Sequence, residues 1–182
     1  MVQKKRSHGL IAFLLVSLFT FYASDLCAQA AYAQLSSFQN QVPTSSGPKP
    51  IVMEVVDVMQ HFELGPTKDH LIVKEEGIYF FIASGQMGSL RKNVTGTLNL
   101  WFVKNGVGIP DSNCQESVDK TKSTSLVISQ FATHLAAGDT IAAHFSANRP
   151  QLGLIYITPE GEPAIPSFLF SIFKMKSDRG LQ

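Results

Sequence analysis

Eight short runs rich in β-branched and aromatic residues, divided by turn signals and never joined by a sustained helical period, confine this chain to an antiparallel all-β fold. They are residues 51–60, 70–74, 78–84, 98–104, 125–135, 140–147, 153–157 and 167–175. Between them stand Gly65-Pro66, Glu76-Gly77, Asn105-Gly106, Gly138-Asp139 and Pro159-Glu160-Gly161. Glycine tolerates positive φ, aspartate hydrogen-bonds nearby backbone, and Asn-Gly suits a two-residue hairpin turn. In Thr133–Ile141 the Gly138-Asp139 pair turns the chain and Thr140 restarts a strand. This pattern predicts a two-sheet sandwich or jelly roll, which needs no crossover helices.

The strands do not alternate cleanly between apolar and polar. Ile78-Tyr79-Phe80-Phe81-Ile82 and Phe168-Leu169-Phe170-Ser171-Ile172-Phe173 carry large apolar groups on both faces. A sandwich strand ordinarily keeps one polar face, so a second apolar face predicts that another subunit covers one sheet. The alternative is cover by loops or by the N-terminal segment of the same chain.

Lys4, Lys5 and Arg6 precede the apolar run Ile11–Tyr22, and the small-residue sequence Ala28-Gln29-Ala30 follows it. The run is shorter than the roughly 20 residues of a membrane-spanning helix. Residues 1–30 are therefore expected to be a secretory signal peptide cut after Ala30, with a cut after Ala33 as the alternative. Signal cleavage predicts no stable membrane insertion and an extracellular or cell-surface destination, or a periplasmic one in a Gram-negative bacterium. Cys27 lacks the flanking residues of a lipidation site and leaves with the signal, so Cys114 has no partner within the mature chain. It is expected in a polar loop, as a free thiol or an intermolecular disulfide.

Residues 31–50 are rich in Gln, Ser, Ala and Pro and read as a flexible tether. The domain is then expected over residues 51–176, with a tail at 177–182. Residues 1–30 hold three bases and one acid, so their removal takes the formal charge from +1 to −1. The mature chain has no basic field, which argues against a nucleic-acid partner.

Four passages resemble the trimeric globular head of the complement first-component q family, a relative of the tumour necrosis factor (TNF) fold, and especially its bacterial versions on collagen-like surface glycoproteins. They are Val73–Phe81 around Gly77-Ile78-Tyr79, Leu100–Gly106 with its Asn-Gly turn, Leu135–Ile141 with Gly138-Asp139, and the closing strand Phe170–Met175. The resemblance covers roughly residues 51–175. It implies an antiparallel jelly roll of about ten strands in a compact homotrimer, with the strands of Tyr79, Phe145 and Phe170 in the sheet facing the threefold axis. It also implies a non-enzymatic module that binds proteins or glycans through its loops. The sequence departs from the family in having no collagen repeat and in a longer loop from Gly106 to Ser123.

Tyr79, His144, Phe170 and Phe173 are the expected trimer-interface residues. His144 shares a strand parity with Ala142 and Ser146, opposite Ile141, Ala143 and Phe145. If the latter set faces the core, His144 faces a neighbour and could make the assembly acid-sensitive. Asp111, Glu116 and Asp119 are candidate calcium ligands, although their spacing is not that of an EF-hand. No other cofactor is expected. The histidines form no metal motif, no Gly-x-Ser-x-Gly elbow or phosphate loop occurs, and Cys114 has no neighbouring base. These features predict no catalytic residue and disfavour a cupin-like or thiol enzyme. Trp101, in an apolar strand, reads as a core anchor. Two functional readings follow: a secreted trimeric adhesion or ligand-binding module, and a surface-assembly protein whose main task is oligomerisation.

Overall fold

A computed structural model describes residues 30–43, 47–119 and 124–176. Among them are thirteen strands and no helix: β1 Tyr32–Ser37, β2 Lys49–Pro50, β3 Val55–Gln60, β4 Phe62–Leu64, β5 Leu71–Val73, β6 Gly77–Ser89, β7 Gly96–Lys104, β8 Val107–Gly108, β9 Cys114–Val118, β10 Thr124–Leu135, β11 Thr140–Ala147, β12 Leu152–Leu154 and β13 Phe168–Lys174. One sheet runs β10-β6-β13-β1-β3, with β12 also paired to β6. The other runs β4-β5-β11-β7-β8, with β2 on β11 and β9 on β7. Every pairing is antiparallel, and the two sheets form a jelly-roll sandwich.

Strand parity builds the core. Tyr79, Phe81 and Ala83 on β6 face the second sheet with Phe168, Phe170 and Ile172 on β13, and Leu98, Leu100 and Phe102 on β7 meet them. Phe102 crosses between the sheets to Phe81, Phe131 and Phe170, with ring centroids at 5.4, 5.3 and 4.9 Å. Each buried aromatic removes enough apolar surface from water to contribute about 1.5–3 kcal/mol. The two turns expected to organise the fold are one polar cluster. Asn105 Nδ2 donates to Asp139 Oδ1 at 2.7 Å, and Thr140 N–H donates to Asn105 Oδ1 at 2.8 Å. Asn105 and Gly106 both have positive φ, at 52° and 82°, as the tight hairpin between β7 and β8 requires.

The expected tether at residues 31–50 and the domain start at Ile51 need correction, because the folded unit begins at Ala31. β1 lies inside the first sheet, between β13 and β3, with Ala31, Ala33 and Leu35 buried. Beyond it, Gln41 pairs through its backbone with Leu154 and through its side-chain amide with Val52. Small residues pack this strand, so its composition reads as polar while its geometry is that of a core element. Of the two candidate signal cuts, the one after Ala30 leaves β1 whole, and the one after Ala33 removes Tyr32 and Ala33 from it. The signal peptide itself and the 177–182 tail lie outside the described residues.

Candidate functional site

The outward face of the first sheet carries an apolar patch. On β6, Ile78, Phe80 and Ile82 alternate with the core residues and point away from the second sheet. Phe173 on β13 is registered with Phe80 on one side and Tyr32 of β1 on the other, and its ring lies 5.5 Å from that of Phe80. Val58 on β3 and Leu126 and Ile128 on β10 extend the patch to both edges. Ile78 is 51% exposed, Val58 52% and Phe173 42%. The outward positions of the two central strands, Ile78, Phe80, Ile82, Ser84 and Gln86 with Leu169, Ser171 and Phe173, include no charged residue.

Of the four expected interface residues, only Phe173 lies on this face. Tyr79 and Phe170 are fully buried between the sheets, because they share parity with Phe81 and Phe168. The Tyr79 hydroxyl donates to the Glu75 carbonyl at 2.8 Å, and burial followed by the charge of Glu75 pushes its pKa up to about 12. Phe145 and His144 belong to β11, in the second sheet, so they do not share a sheet with Tyr79 and Phe170. His144 does face away from the core, as its parity predicts, but on the opposite side of the sandwich from Phe173. Its ring meets Trp101 edge-on at 5.9 Å. Burial lowers its pKa, with Asp69 opposing the shift in part.

Trp101 is not the expected core anchor. It lies half-buried on the outer face of β7, between the inward Leu100 and Phe102. The expected long loop is also shorter than it read, since β8 and β9 occupy much of it. Cys114 stands on β9 opposite Leu100, and its side chain packs partly buried against the core. Asp111 is exposed in a turn, whereas Glu116 on β9 accepts a hydrogen bond from Ser125 Oγ at 2.8 Å and Asp119 follows the strand. Among the described residues no three acidic, histidine or cysteine side chains converge on a metal-sized site. Apart from Tyr79, the buried polar side chains among them are all serines.

This architecture is a TNF-like jelly roll. Structures of murine APRIL solved at pH 5.0, 8.0 and 8.5 superimpose with TM-scores of 0.54, 0.56 and 0.56, covering 81% of this chain and 100% of the APRIL chain. At 16% identity the likeness carries the fold and not the bacterial collagen-like head type. No family model matches the sequence, and no curated protein matches it. Among the described residues no helix is long and apolar enough to cross a membrane.

Proposed function

We propose that this chain is a secreted, non-enzymatic binding module that works as a homotrimer, with the outward face of the β10-β6-β13-β1-β3 sheet packed against two further copies. The exposed apolar patch centred on Ile78, Phe80, Ile82 and Phe173 carries this reading, since patches of this kind on soluble proteins mark association surfaces. Its uncharged central strands suit further copies of the same chain, because three such faces converging on a threefold axis then bring no like charges together at the centre. The TNF-like fold supports the trimeric arrangement. Ligand recognition falls to surfaces that such packing leaves open, with a protein or a glycan as the class of ligand.

Light scattering on the purified protein should give about three times the chain mass, and Ile78→Asp with Phe173→Asp should yield folded monomers. Burying unpaired carboxylates there costs about 3–5 kcal/mol, enough to dissociate a moderate assembly. A wild-type monomer at micromolar concentration would refute the trimeric reading. Trimers that bind no protein or glycan would instead favour the surface-assembly role.

A further inference from the structure

On the far side of the sandwich, the outer face of β7 and the segment after β8 enclose an open trough of about 510 Å³. Its floor is Trp101 with Asn99 beside it, Ser146 of β11 closes one side, and Gly108, Asp111 and Asn113 stand on the other. The trough is open to solvent, so it can cover one face of a ligand. The trough wall is held in place from below. Ser112, fully buried, accepts from the Phe102 N–H at 3.0 Å and donates to the Ile109 carbonyl at 2.7 Å, and its own carbonyl accepts from Ser129 Oγ at 2.7 Å. Asp111 is thereby presented from a turn with φ of 61°.

The lining combines the kinds of group that a neutral sugar engages. A pyranose has an apolar C–H face and a rim of hydroxyls, and the trough offers an apolar surface of Trp101, Ile109 and Pro110 together with amide, carboxylate and hydroxyl groups. Asn99 Oδ1 accepts from Gln115 Nε2 at 3.0 Å, which fixes the amide while its Nδ2 stays free to donate. Among the described residues, Asp111 and Asn113 spend no side-chain atom on an internal hydrogen bond. No basic side chain among the described residues lines the trough, so it is not built for phosphate, sulfate or an acidic glycan.

Gly108 also lines the trough. Its φ is not positive, and a Cβ there would meet no atom within 4 Å, so neither backbone conformation nor packing calls for glycine. A larger side chain there can therefore be introduced into the lining without straining the fold. We propose that the Trp101 trough binds a neutral saccharide, its indole stacking on the sugar ring while Asn99, Asp111 and Asn113 hold the hydroxyls. This deepens the ligand-binding reading above and rests on it only for the class of ligand.

Trp101 is the sole tryptophan of the chain, so its fluorescence reports on this site alone. The full chain is titrated with short neutral oligosaccharides of glucose, galactose, mannose and N-acetylglucosamine, with a heparin oligosaccharide as the charged comparison. At least one neutral probe should change the emission saturably. Gly108→Leu and Asn113→Ala should weaken that response about tenfold or more while leaving the circular dichroism unchanged. The proposal is overturned if no neutral probe saturates by about 10 mM, if both variants bind like the wild type, or if only heparin binds. Light scattering on the same samples separates the two readings. Trimers without saccharide binding overturn this assignment alone, whereas a saccharide-binding monomer supports it and overturns only the trimeric reading.

Discussion

Removing the N-terminal strand is the most direct test of how this jelly roll holds together. β1 is registered with β13 over six residue pairs and with β3 over five, so a chain starting at Ile51 loses the link between those strands. Leu35 is fully buried, and its loss alone should cost about 3 kcal/mol through transfer and cavity effects. Ala31 and Ala33 each bury a methyl worth about 0.8 kcal/mol. The sum approaches 5 kcal/mol before any broken ladder is counted, against a total stability of about 5–15 kcal/mol for a domain. Urea unfolding followed by circular dichroism compares chains starting at Ala31 and at Ile51, with Leu35→Ala as calibration. For a slope of about 2 kcal/mol per molar urea, Leu35→Ala should lower the midpoint by about 1.5 M, and the truncated chain should fall further or fail to fold. Equal midpoints for the two starting points would refute the structural role of β1 and restore the tether.

Two further substitutions probe single contacts. Gly153→Ala would set a Cβ 2.3 Å from the Gln41 carbonyl oxygen and 2.7 Å from the Val42 Cα, both backbone atoms, so thermal unfolding should show a loss of about 1–3 kcal/mol; an unchanged melting temperature would contradict the close approach of these segments. His144, whose pKa burial depresses, favours the neutral ring in the folded state, so its contribution is fully present above the ordinary value of 6.5 and is lost as pH falls through the lowered value. His144→Gln should therefore flatten the stability profile below about pH 6.5, and a profile that keeps its slope would refute the assignment.

Strand positions and turns were legible in the sequence because their signals are local. Asn105-Gly106 favours the positive φ of a two-residue turn, which both residues adopt, and the β-branched runs announced themselves by composition. The side of the sheet on which each residue lies was harder to read. Tyr79 and Ile78 are neighbouring large side chains, either of which can enter a core, and the register alongside Phe81, Phe168 and Phe170 sends one inward and the other out. The same parity separates Phe170 from Phe173, three residues apart on one strand. Trp101 could have been placed by this rule, since Leu98, Leu100 and Phe102 claim the core and leave Thr97, Asn99 and Trp101 the other face. β1 gave too little signal for a different reason. Alanine and serine fill tight interstrand space well, but they contribute little hydrophobicity to a sequence pattern, so the inward series Ala33, Leu35 and Ser37 carries only one large apolar residue.

The two proposals constrain each other through the sandwich geometry. If the β6 sheet turns towards the other copies, the β11 sheet and its Trp101 trough must turn away from them, because they occupy opposite outer faces. Three copies of a shallow, open site would then be displayed outward on one rigid assembly. An open trough covers only part of a sugar and so suits weak single-site binding, but linked sites on one multivalent ligand raise the overall avidity by a factor of about 10²–10⁴ where their spacing fits. The aromatic cluster of Phe81, Phe102, Phe131 and Phe170 fills the middle of the sandwich, which moves ligand recognition to the surface. Dissociation through Ile78→Asp and Phe173→Asp should accordingly leave the solution affinity for a short oligosaccharide intact while abolishing retention on a densely coated polysaccharide surface.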